Sequence, residues 1–249
     1  MSALLALAIS LIMVATAFLS GIFGMAGGLI LIGVLLVVLP LPEAMALHAV
    51  TQMASNGWRG LLWWRHVRWR IVAVFLVGCA LALLAWSLWR YVPSKPVALL
   101  ALGATPFLVR LLPANLTPNP DSAPQAILYG SMCTTLMLLT GVSGPIFDSF
   151  FLGGNLDRRE IVATKSVCQL FGHGMKLAYF TVLVDQAATI DPLVAALAVA
   201  ASMLGTTLAR PVLKMLTDTQ YRAWAARIIT AIACYYLAYG SYLLVLPSV

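Results

Sequence analysis

Long apolar runs divide the chain into ten segments, at about residues 3–20, 28–39, 44–58, 71–90, 97–111, 125–140, 146–155, 161–182, 192–209 and 223–246. Runs this continuous predict helices and exclude a transmembrane barrel, whose strands alternate apolar and polar positions over about ten residues. A helix needs about 20 apolar residues to span a bilayer, and the segments at 28–39 and 146–155 fall short of that. Both follow glycines: Gly21, Gly24, Gly27 and Gly28 before the first, Gly141 and Gly144 with Pro145 before the second. They are expected to be half-helices, an interruption tolerated where protein or a water-filled cavity covers the broken backbone.

The two glycine clusters lie 117 residues apart. Sliding the chain against itself by that offset pairs 24–59 with 141–176 without a gap, and nine of the 36 pairs are identical. Leu35/Leu152, Leu39/Leu156, Ala46/Ala163 and Val50/Val167 are matches that an apolar composition produces by chance. Gly24/Gly141, Gly27/Gly144, Glu43/Glu160, Gln52/Gln169 and Gly57/Gly174 in the same register are not, and they indicate an internal duplication. The expected organisation is one membrane domain in two halves: a first repeat over 1–112, a joining loop over 113–124 and a second repeat over 125–249.

Composition makes the membrane assignment firm, with 62% of 249 residues hydrophobic and 9% charged and a mean hydropathy of +0.97. The chain is expected to be an all-α polytopic integral membrane protein with about 8–10 membrane segments. Its net charge of +7 does not point to nucleic acid, because the basic residues sit in short connections between apolar spans. Ten segments with Met1 outside put ten Lys and Arg residues on the inner side, including Arg59, Arg65, Arg68, Arg70, Arg158 and Arg159, against Arg90, Lys95 and Lys176 outside. Both termini are then outside, and five segments per half give the halves opposite topology, the architecture of secondary transporters with a site at the repeat interface. The first segment has no basic residues ahead of it and is expected to remain as a membrane helix. Cys79, Cys133, Cys168 and Cys234 have no CxxC spacing and read as buried structural thiols, so no metal and no cofactor is expected. No GxxxxGK[ST] motif suggests an ATP-driven pump.

After each glycine cluster comes a helix with a polar stripe. His48, Gln52, Ser55, Asn56 and Arg59 share one face of the third segment; Lys165, Gln169, His173 and Lys176 share one face of the eighth. A cation within a bilayer is costly, so Lys165 is expected to face either an anion-holding cavity or a counter-charge such as Asp148. Helix N-termini at the glycine breaks offer unpaired N–H groups and a positive dipole end. The candidate anion-binding residues are therefore Gly24, Gly27, Gly28, Gln52, Ser55, Asn56, Gly141, Ser143, Gly144, Lys165 and Gln169. His48 and His173 are candidates for proton coupling, because histidine titrates near neutral pH, with Asp148 behind them. Structural alternatives stand beside each: close helix packing for the glycines, interhelical hydrogen bonding for the amides and Ser55, snorkelling for Arg59 and Lys176.

The glycine cluster opening an apolar segment, the following Glu43-Ala44-Met45-Ala46, and the degenerate second copy resemble the TauE/SafE sulfite-exporter family of membrane transporters. The resemblance implies a multi-pass protein of the cytoplasmic (inner) membrane that moves sulfite, sulfonates or related sulfur anions. The expected partners are a small anion and the lipid bilayer; monomer and homodimer both remain open. The function expected is alternating-access transport of a small sulfur oxyanion, coupled to protons or not. The alternatives are an anion channel of the same architecture and a membrane-embedded enzyme using Cys168 and His173.

Overall fold

The computed structural model describes residues 3–23, 26–111, 118–152, 156–187, 190–215 and 218–245. Among them are ten α-helices and no strand. The helices are α1 (Ala3–Phe23), α2 (Ala26–Val38), α3 (Leu41–Leu62), α4 (Trp69–Trp89), α5 (Lys95–Arg110), α6 (Ala123–Thr140), α7 (Gly144–Leu152), α8 (Arg158–Ala178), α9 (Pro192–Met215) and α10 (Asp218–Val245). Every apolar segment of the sequence corresponds to one helix, and the two short segments are the two shortest helices.

Helix ends follow local chemistry rather than hydropathy, which is why α3 and α8 begin before their apolar runs. Pro42 lies in the first turn of α3, where its missing N–H costs no intrahelical bond. In α8 the Asp157 carboxylate accepts from the N–H groups of Arg159 (2.7 Å) and Glu160 (2.9 Å), while Glu160 accepts from the Asp157 N–H (3.1 Å). This reciprocal cap brings charged residues into the first turn of the helix, and the Glu160 N–H above all holds the Asp157 carboxyl below the usual carboxylate range. A π-helical turn, Tyr179–Leu183, continues α8.

Three helical stretches, Trp69–Trp89, Pro192–Ala209 and Ala226–Val245, are long and apolar enough to cross a membrane, and Leu7–Phe23 and Ala26–Val38 are shorter apolar helices. Their outer faces expose large apolar side chains, such as Leu81 and Leu88 on α4 and Leu204 and Leu208 on α9. The more polar α3 and α8 pack against each other and against α9 and α4 respectively. Apolar helices thus screen polar ones, an order that suits a bilayer as solvent.

The main pairings are α1 with α9, α4 with α6, α3 with α8 and α5 with α10. Exchanging each helix for the one five places along converts the first pairing into the second and leaves the other two unchanged. The 117-residue offset carries 41–62 onto 158–179, within one residue of α8. Glycines set the closeness of these pairs. A Cβ on Gly78 of α4 would collide with the Ile127 carbonyl of α6, and one on Gly130 of α6 with the Phe75 carbonyl of α4. Gly205 of α9 meets the Val14 carbonyl of α1 in the same way. Small residues at such crossings allow the backbone proximity on which packing within a membrane depends.

Gly78→Leu should therefore separate α4 from α6 and lower the thermal midpoint of the purified protein by several degrees or abolish its folded yield. Gly57→Ala should leave both unchanged, since its new Cβ would stand 3.5 Å from the Leu170 side chain, an ordinary contact.

Candidate functional site

The end of α6 is a place where a backbone carbonyl becomes free to bond elsewhere. Gly141 ends α6 in the left-handed conformation, φ 89°, with its N–H on the Met137 carbonyl. A left-handed residue is usually glycine because a Cβ is strained there; at this position a Cβ would also stand 2.8 Å from Ile32 Cγ1. The turn aims the Gly141 carbonyl at α8, where Lys176 Nζ donates to it at 2.9 Å. Across the interface, His48 of α3 lies 3.0 Å by its Nε2 from the Gly28 carbonyl of α2. A carbonyl only accepts, so Nε2 carries the proton and Nδ1 is the acceptor for Lys176 Nζ, 2.8 Å away. One chain of bonds thus joins α2 to the end of α6: Gly28 carbonyl, His48, Lys176, Gly141 carbonyl. The His173 ring stands edge-on to His48 with centroids 5.5 Å apart.

Lys176 has no solvent exposure, and among the described residues no carboxylate pairs with it. It does not snorkel to the membrane surface, as its place near the end of the helix allowed. The stripe on α8 faces α3, so the amine is directed into the interface, where a carbonyl and an imidazole serve as acceptors.

In front of this chain lies a cavity of about 440 Å³, mouth included, bounded by α1, α2, α3, α8 and the break before α7. Seven of the expected anion-binding residues line it: Gly28, Gln52, Asn56, Ser143, Gly144, Lys165 and Gln169. Arg59, His173 and Ser20 join them. Gly28 and Gly144 stand near the N-termini of α2 and α7, so both N-termini reach one cavity. No carboxylate is among the described lining residues. Ser20 Oγ, Ser143 Oγ and His173 Nδ1 are buried there without a hydrogen-bond partner, a rare condition for polar atoms in a native interior.

The remaining expected residues lie elsewhere. Gly24 falls outside the described residues. Gly27 does not line the cavity, because it lies against the Thr16 carbonyl and Ser20 of α1 so closely that a Cβ would collide; its role is helix packing. The Ser55 hydroxyl bonds that of Thr206 at 2.9 Å, tying α3 to α9. Gly141 contributes its carbonyl to Lys176, and His48 is buried behind the cavity wall. Asp148 forms an ion pair with Lys165, so Lys165 has the counter-charge and the cavity position together. Cys168 and His173, weighed as a reactive pair, line different cavities. Sequence reasoning passed over Ser20, which falls in an apolar run with no polar periodicity, and placed Arg59 and Lys176 on the polar stripes with snorkelling as the alternative.

The sulfite exporter TauE/SafE family model matches residues 9–236. The chain belongs to the TauE/SafE family. The match embraces both glycine breaks, both polar-striped helices and every described residue of the cavity, and it makes this a multi-pass protein of a membrane transporter family. Neither the curated proteins nor the solved structures contain a match.

In this TauE/SafE protein Lys176→Met, which keeps bulk but removes the donor, should leave the Gly141 carbonyl and His48 Nδ1 unpaired. Each orphaned buried group costs about 1–3 kcal/mol, visible as a lowered thermal midpoint. Because His48→Ala cuts the same chain, the double variant should lose clearly less than the sum of the two.

Proposed function

We propose that the protein is a secondary transporter that moves a small sulfur-containing oxyanion, of the sulfite or organosulfonate class, by alternating access between two inverted halves. The observation that carries this is the cavity itself, lined by two cations, three side-chain amides and unpartnered hydroxyls, with no carboxylate among its described residues. Such a lining offers an oxyanion charge-assisted hydrogen bonds and repels nothing of negative charge. The family's name supplies the substrate class.

The duplicated register, the coincidence of α3 and α8 under it, and the exchange symmetry of the helix pairings support two halves related by a pseudo-two-fold axis. Odd helix number per half then gives opposite topology. Arg68, which lies between α3 and α4, contacts Asp121 before α6 (3.7 Å) and Glu160 of α8 (3.1 Å). These connections share one end of the molecule, as alternating spans require, and the positive-inside rule assigns that end to the cytoplasm. At that end the cavity side chains are half-buried (Arg59, Lys165, Gln169), whereas His173, His48 and Lys176 toward the opposite end are fully buried. The cavity is thus accessible from the cytoplasmic side and closed beyond it by the His48–Lys176 chain. Opening the far side requires that chain to break, and loading from the cytoplasm suits export.

Lys165, held by Asp148, is the principal anion ligand, aided by Gln52, Asn56, Gln169, Arg59, Ser143 and the backbone at Gly28 and Gly144. His173, with an unpartnered Nδ1 at the cavity wall, and His48 behind it are the proton carriers. Asp148 is committed to Lys165.

Thermal shift of the purified protein against sulfite and small sulfonates should show a raised midpoint, since a ligand of the folded state alone stabilises it. Lys165→Ala removes the cation and leaves Asp148 unpaired beside the cavity, and should weaken binding at least about tenfold. Asp148→Asn frees Lys165 and should tighten it. Equal affinities across wild type and both variants would remove Lys165 from the site. In proteoliposomes, sulfite flux should saturate and show counterflow; steady single-channel currents would favour the channel alternative.

A further inference from the structure

A second, smaller cavity, about 190 Å³ with its open mouth included, adjoins the first and shares Ser143 and Gln169 with it. Three thiols from three helices line it, Cys79 of α4, Cys133 of α6 and Cys168 of α8, together with the Met137 thioether and the Thr134 hydroxyl. All three cysteines are free and buried. Among the described residues no group of His, Cys, Asp and Glu is placed to hold a metal ion, so the cluster has neither a disulfide nor a metal to account for it. Thr134 lies beside the Cys79 thiol and Ser143 beside that of Cys133, yet neither hydroxyl, each 2% exposed, makes a hydrogen bond of good geometry. Thiol sulfur is a weak acceptor, and both hydroxyls retain an O–H to donate into the cavity.

Such a wall discriminates by the substituent it meets. A fully hydrated oxyanion oxygen would exchange strong water contacts for soft, weakly polar sulfur. A methyl group would pack against the thiols but gain nothing from the two hydroxyls, which it leaves as unpaired as before. An anionic sulfur atom is large, polarizable and weakly hydrated. It packs on thiol and thioether sulfur and accepts from both hydroxyls.

We infer that the side cavity receives the terminal sulfur of a thiosulfate-type anion, with the three oxygens in the main cavity on Lys165, Gln169 and the neighbouring backbone donors. Ser143, on the wall between the cavities, spans the two ends of the ligand. No covalent bond to a cysteine forms. This specificity rests on the anion site of the transporter proposal and goes beyond it by naming the group that occupies the side cavity.

Sulfate is the matched control, equal in charge and tetrahedral shape with oxygen in place of the terminal sulfur. Titration calorimetry on the full-length protein in detergent, with thiosulfate, sulfate, sulfite and methanesulfonate, should give thiosulfate an affinity at least about tenfold above sulfate and methanesulfonate, the scale of one hydrogen bond to a charged group. Thr134→Val keeps the side-chain shape and removes a donor that bonds nothing in the protein. It should reduce the preference of thiosulfate over sulfate several-fold and leave sulfite affinity unchanged. Gly172→Ala adds one methyl to the side-cavity wall, 3.3 Å from the flexible Met137 terminus, and should narrow the preference in the same direction. Equal affinity for thiosulfate and sulfate in the wild type, or a Thr134→Val effect equal on both anions, overturns the side-cavity assignment while leaving the transporter proposal standing. Binding of none of the four anions overturns both.

Discussion

Burial of the Lys176 amine is the constraint on which the centre of the structure depends. A buried amine is tolerated only with partners for its N–H groups around it, and here they come from opposite halves of the chain: the Gly141 carbonyl at the end of α6 and the Nδ1 of His48 on α3. That demand sets the register of α8 against α3, and through His48 it draws in the Gly28 carbonyl of α2. It also uses the turn at Gly141, whose carbonyl has no helical donor four residues on, because that residue is Pro145. A carboxylate partner would have made the pair more secure and would have placed a negative charge next to the anion cavity.

Around that centre the helices divide their tasks by polarity. α3 and α8 carry nearly all of the polar groups that face the cavity and are screened by more apolar helices that hold one another through glycine contacts, Gly78 with Gly130 and Gly205 with α1. The aromatic cluster of Phe75, Phe147, Phe150 and Phe151 locks the short α7 against α4. On the other side, Tyr236 of α10 bonds the Leu29 carbonyl in α2, its ring lying over Gly33. Each of the two short helices is thereby anchored by an aromatic contact.

The two cavities meet at Ser143 and Gln169, residues contributed by the break before α7 and by α8. One side is cationic and rich in strong donors, the other soft and sulfur-lined. Their contiguity gives the molecule a way to read both ends of a small asymmetric anion with few residues.

Much of this was present in the one-dimensional pattern. Ten apolar segments became ten helices, because the need to satisfy backbone groups within a bilayer leaves few other structures. The offset of 117 residues located the matching α3 and α8. The polar stripes named most of the cavity lining, because residues spaced at helical period share a face whatever that face meets. What periodicity could not decide was the partner across the interface. Gly27 and Ser55 sit in the right stretch but turn to α1 and α9; Lys176, on the polar stripe with snorkelling as its alternative, is wholly buried; Asp148 pairs with Lys165. The three thiols lie on helices far apart in the chain, each unremarked in its own apolar run. Helical period is a property of one segment and is written in the sequence, whereas the register between segments is set by packing, glycine by glycine, and only the tertiary structure decided it.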